Sequence, residues 1–209
     1  MKKGLISILL IVLTCCPSLA RNRRNDFFSR VHYDIDWGYS QHFYTYHSYN
    51  YINSEGNRIP GGRQGMDWSP AGCFLLGAGY DITPKLGMEL LAGFAGATSK
   101  DRYLPILLRI DYYYQGYAQK GTFSFIQGGA GLRMPFGNSG RMSVLGAIGQ
   151  GYRIPLAAGI NLDLKLSLQF TFDTPPIPDP DGPGNVPERN IRKNNARYYA
   201  LNISLGINF

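Results

Sequence analysis

Residues 158–173 read AGINLDLKLSLQFTFD, and they alternate without a break. Ala158, Ile160, Leu162, Leu164, Leu166, Leu168, Phe170 and Phe172 fall on one parity. Gly159, Asn161, Asp163, Lys165, Ser167, Gln169, Thr171 and Asp173 fall on the other. A helix would scatter those leucines around its circumference, so the segment is a strand with one apolar and one polar face. It is also far longer than the five or six residues usual in globular sheets. Whatever encloses this strand must offer an apolar medium along all of one face.

The same period recurs. Val31, Tyr33, Ile35, Trp37 and Tyr39 alternate with polar residues over 31–40, and Phe74, Leu76, Ala78, Tyr80 and Ile82 over 74–82. A turn at Thr83-Pro84-Lys85 leads into Leu86, Met88, Leu90, Ala92 and Phe94. Further strands are expected at 103–113, 123–134, 142–154, 158–173 and 198–209, eight in all. In 123–134, Phe123 and Phe125 are out of phase with Ile126, Ala130 and Leu132. Short or moderate connections alternate with two long ones, 47–69 and 174–197. The second holds six of the thirteen prolines and is expected to be neither strand nor helix. High Gly (26), Tyr (15) and Phe (11) fit an all-β chain.

Two eight-stranded barrels fit this pattern, and they differ in what the polar face meets. In a soluble ligand-binding barrel it faces water and should carry many Lys and Glu. Here it carries glycines and isolated charges: Glu89, Arg109, Asp111, Arg133, Arg153, Asp163 and Lys165. Sparse charges of both signs suit a narrow lumen in which ion pairs form. The aromatics agree. With the N-terminus inside, Tyr80, Tyr112, Tyr152 and Phe209 mark one end of the apolar face. Tyr39, Phe94, Tyr103, Phe172 and Tyr199 mark the other, as two girdles bounding a bilayer would. Both long connections then lie outside. Because lipid tolerates no open sheet edge, the last strand should pair with the first.

The remainder bounds the setting. Lys2 and Lys3, the apolar run 5–13 and Ser18-Leu19-Ala20 predict a secretion signal at 1–20, then a short periplasmic segment at 21–30 and the barrel at 31–209. Arg21, Arg23 and Arg24 just after the cut are unusual for export. Cys15 and Cys16 lack the small preceding residue a lipoprotein site needs. Loss of the signal leaves Cys73 alone, so no internal disulfide is expected. The net charge falls from +7 to +5 and is spread out, which gives no sign of nucleic acid.

The alternating strands and the terminal LNISLGINF resemble the small bacterial outer-membrane barrels that include OmpX and the transmembrane domain of OmpA. YLPILLRIDYYY and GYRIPLAAGINLDLKLSLQFTF look most like barrels of Bacteroidetes-type bacteria. The likeness implies a home in the bacterial outer membrane, among lipid and lipopolysaccharide. It also implies that the barrel-assembly machinery reads the last strand through Tyr199, Leu201, Ile203, Leu205, Ile207 and Phe209. It brings no catalytic motif and no cofactor.

Other constellations have plainer readings. His32, His42 and His47 with Asp67 and Ser69 would supply a His–Asp–Ser hydrolase, but there is no compact spacing and no Gly-x-Ser-x-Gly. His32, Asp34 and Asp36 are expected to be lumen ion-pair partners of Arg109, Arg133, Arg153 or Lys165 instead of metal ligands. Arg189, Arg192, Lys193 and Arg197 would lie near lipopolysaccharide phosphates, although Asp179, Asp181 and Glu188 nearly balance them. The expectation is a non-enzymatic barrel with an envelope-structural or surface-interaction role through its outer loops, whose partner the sequence does not name. A lipid A-modifying enzyme and a narrow pore or hydrophobic-solute conduit are the alternatives.

Overall fold

The computed structural model describes residues 30–134, 142–157, 159–180, 182 and 184–209. The expected signal at 1–20, the 21–30 segment apart from Arg30, Ala158 and Asp181 lie outside the described residues. Eight antiparallel strands form a closed ring in sequence order. They are β1 (Val31–Ile52), β2 (Arg58–Thr83), β3 (Leu86–Gly96), β4 (Arg102–Tyr113), β5 (Gly121–Met134), β6 (Met142–Ala157), β7 (Ile160–Asp173) and β8 (Ile191–Asn208). The seam is the β1–β8 ladder, which runs from Asp34 opposite Asn208 to Tyr51 opposite Ile191. Below it Tyr33 and Phe209 exchange two backbone hydrogen bonds of 2.8 and 3.0 Å.

Burial inverts the usual order. Ile106 is 62 % exposed, Ile203 60 % and Leu90 58 %, whereas Arg109 is 3 % exposed and Asp111 1 %. In water that arrangement forfeits about 1.5–3 kcal/mol for each exposed Leu or Ile. In hydrocarbon it is the expected order, because the closed ladder pairs the backbone and the lumen shields the charges. Leu104, Ile106, Leu108, Ile110 and Tyr112 of β4 show the pattern most clearly: all are exposed, and every residue between them is buried.

Three expectations need correction. Residues 47–69 are not a loop. β1 runs on to Ile52 and β2 starts at Arg58, joined by a tight turn in which the backbone N–H of Asn57 donates to Asn53 Oδ1 at 2.7 Å. Likewise β8 begins at Ile191, which shortens the second long connection to 174–190. Tyr103 is no girdle residue. It shares parity with Arg109 and Asp111, is fully buried, and donates its hydroxyl to Asp173 Oδ2 at 2.8 Å. The phase slip in β5 also has a cause: Phe123 and Phe125 point inward and are buried.

β1 keeps its extra length in step with β8 through bulges at His42/Tyr44 and Asn50/Tyr51, which reset the faces. The first places Tyr44 against Tyr199, with ring centroids 6.0 Å apart.

Candidate functional site

The lumen is layered. In its lower part the Arg109 guanidinium spans the interior from β4. It donates to Asp34 Oδ2 and Glu89 Oε2 at 3.1 Å each, to Asp36 Oδ2 at 2.5 Å, and through Nε to Gln127 Oε1 at 3.1 Å. Its planar fork thereby ties β4 to three other strands, β1, β3 and β5, which a lysine in its place would not do. Lys165 Nζ lies 3.2 Å from Asp34 Oδ2 and 2.6 Å from Asp36 Oδ1. His32 bridges two carboxylates, with Nε2 3.0 Å from Glu89 and Nδ1 3.5 Å from Asp81. Arg153 pairs with Asp163 through two bonds of 2.8 and 2.6 Å, and its guanidinium lies 4.6 Å from the Tyr113 ring centroid. Asp111 is buried in the same layer, and its Oδ2 has no hydrogen-bond partner among the described residues. Six of the seven expected lumen charges therefore stand in one layer.

Above this layer the interior turns apolar. Leu75, Leu91, Leu107 and Leu145 are buried together on the inward face and fill it. Ser40, Gln169 and Asn202 close the gap beside them. Ser40 donates to Gln169 at 3.0 Å and Asn202 to Ser40 at 2.8 Å.

The seventh charge, Arg133, sits higher. It holds Asp101 and, at 2.5 Å, Asp173, which also accepts from Tyr103 and from Ser143 at 2.7 Å. Two ionic layers thus sandwich an apolar one. A hydrated ion would have to pass both ionic layers and the buried leucines between them.

The residues that a hydrolase would have needed are held by other partners. His42 Nε2 is 2.7 Å from Thr45 Oγ1, and His47 Nε2 is 2.8 Å from Asn194 Oδ1. Asp67 accepts from Arg63, and Ser69 donates to Ser99. Among the described residues, no group of three or more His, Cys, Asp or Glu is arranged to hold a metal ion. Asp34 and Asp36 contact Arg109 and Lys165. Arg197 lies 5.9 Å from the Phe172 ring centroid, while Arg192 and Lys193 are exposed at the start of β8. Of the final-strand residues, Leu201 and Ile203 are exposed outward, and Tyr199, Leu205, Ile207 and Phe209 are half-buried on the same face.

Sequence reading missed a second feature, on the outer side. β1 has 22 residues and β2 has 26, beside 11 in β3 and 12 in β4. Crossing the hydrocarbon takes about 9–11 tilted residues. The β2–β3 ladder stops at Cys73 opposite Ala95, so residues 58–72 rise without a partner in β3. On the other flank the 174–190 connection covers β8. Ile177 and Val186 bury against Tyr51, and Asn194 donates to Pro175 O at 2.5 Å. The result is a β2–β1–β8 sheet standing above the barrel, closed on one flank and open on the other. Trp68 and Met66 are exposed on it, and little in their spacing announced it.

No family model matches the sequence, and the curated proteins yield no match. Solved structures do. The outer membrane protein OprG of Pseudomonas aeruginosa aligns at 15 % identity and TM-score 0.49, over 86 % of this chain and 96 % of that one. The outer membrane protein AlkL aligns at 15 % identity and TM-score 0.44, over 86 % and 90 %. The Neisserial surface protein A aligns at 10 % identity and TM-score 0.40, over 83 % and 95 %. The closed ring, the lipid-compatible outer face and the ionic interior stand without them: the chain is a small eight-stranded transmembrane β-barrel of the bacterial outer membrane.

Proposed function

We propose that this barrel is non-enzymatic and serves the envelope at its outer surface, as a structural element that presents the β2–β1–β8 sheet for contact. The observation that carries this reading is the contrast between a filled lumen and strands of 22 and 26 residues that outrun the membrane. Length maintained beyond what spanning needs, with one flank covered and one open, suits a platform and not a conduit. The final strand would serve assembly through its outward face, from Tyr199 to Phe209.

The test compares the wild type with a variant in which a short turn replaces residues 45–66. The variant should fold, as read by heat-modifiable gel migration, and cells carrying it should attach less to surfaces while their envelope permeability stays unchanged. Unaltered attachment with a leaky envelope would leave only the structural role. Discrete conductance steps from the wild type in planar bilayers would sink the sealed-lumen premise.

A further inference from the structure

The outward wall at the top of β1–β4 carries a furrow of about 490 Å³. Gly72 of β2, which is exposed, and Gly96 of β3, which is buried beneath it beside Ala71, line its floor without side chains. Tyr39 of β1 and Phe94 of β3 wall it, and Arg102 of β4 stands directly beside Gly96 in the ladder. The β3–β4 turn forms its upper rim and is rigidly built. The backbone N–H groups of Lys100 and Asp101 donate to Thr98 Oγ1 at 3.2 and 3.1 Å. Ser99 N–H donates to Ser69 Oγ at 2.9 Å, which ties the turn to β2.

Height and charge identify what this furrow meets. Ten positions along β4 separate Arg102 from Tyr112 of the inner girdle, close to the roughly 9–11 residues a tilted strand needs to cross hydrocarbon. The guanidinium therefore sits at the level of the outer headgroups, above an aromatic-walled groove that faces acyl chains. It is exposed and makes no ion pair or side-chain hydrogen bond among the described residues. The adjacent carboxylate, Asp101, does not neutralise it, because Arg133 and Thr98 hold Asp101 on the inner side. An unpaired fork donor at that depth matches a phosphate, and the furrow below it matches a chain.

We propose that Arg102, Tyr39, Phe94 and the Gly72–Gly96 floor form a binding site for one phosphorylated glycolipid of the outer leaflet. Arg102 takes the headgroup phosphate, and an acyl chain lies in the furrow. This site rests on the lipid-facing orientation of the wall and not on the surface-contact reading, so either can fail alone.

Native mass spectrometry of the detergent-solubilised full barrel tests it, with bisphosphorylated and dephosphorylated lipid A as probes. The wild type should retain the phosphorylated form about fivefold better, the upper range for an exposed charge pair. Arg102→Ala should abolish that preference and leave retention of the dephosphorylated form unchanged. Gly72→Leu should reduce both forms by filling the floor; a Cβ there meets nothing closer than Gly38 O at 3.7 Å. Tyr39→Ala, on the opposite wall, should reduce both as well. Heat-modifiable migration verifies that each variant is folded. Equal retention of the two lipids, or an Arg102→Ala variant that keeps the preference, overturns the proposal. Full displacement by millimolar inorganic phosphate also overturns it, since the site would then recognise an anion and not a lipid.

Discussion

The lower lumen and the sheet above the membrane are built from the same strands, yet they use side chains in opposite ways. In the lumen, Arg109 reaches Asp34, Asp36 and Glu89 from a different strand, and nearly every charge is buried. In the outer sheet, Arg63 pairs with Asp67 on its own strand at 3.1 Å, and both remain in contact with water. The first arrangement locks strands to one another. The second only decorates one strand. Charge stabilises this fold where water is absent and its partners come from across the barrel.

That contrast can be broken in a graded way. Arg109→Ala should have the largest effect, because it takes one buried cation from three buried carboxylates and leaves, among the described residues, only Lys165 and His32 beside them. Refolding in detergent monitored against urea should show a loss of about 3–5 kcal/mol, and a loss under 1 kcal/mol would mean that water enters the lower lumen freely. Gly129→Ala comes next. An added Cβ would lie 2.0 Å from the backbone oxygen of Ile106, so two strands must part, at about 1–3 kcal/mol. Tyr103→Phe removes the hydroxyl bond to Asp173 in the upper ionic layer and should cost about 1–3 kcal/mol by the same measurement. Asp67→Asn, in the outer sheet, should change stability by no more than about 0.5 kcal/mol. A larger effect there would show that the outer sheet is coupled to the barrel more tightly than its contacts indicate.

The same contrast explains what was legible in the sequence. Within the bilayer, lipid on one side and lumen on the other impose a strict period of two, which is why β4, β7 and β8 could be read residue by residue. Tyr103 was misassigned by its chemical type although its parity with Arg109 placed it inside. Above the bilayer, both faces of the sheet meet water or one another, and the period lapses. Residues 58–71 of β2, with Pro60, Gly61, Gly62, Gly65 and Pro70, therefore look like a loop while forming strand. The inward leucines at 75, 91, 107 and 145 were hidden for a related reason. An apolar residue on the polar parity reads as noise until the barrel stacks four of them in one layer. The furrow at Gly72 and Gly96 was hidden as well, since the two glycines come together in space just beyond the end of the β2–β3 ladder.

The seam between β1 and β8 has a kinetic consequence. Its partners stand at positions such as 34 and 208, nearly the whole barrel apart along the chain. Every other ladder joins neighbours in sequence and can form early, as successive hairpins. The ring can close only after all of them are in place, so the slowest contact is also the one that removes the last open edges. Until that moment the intermediate is a curled sheet with two sticky borders, and its greasy side already faces outward. Such a species survives only if it is held apart from its own copies or delivered directly into lipid.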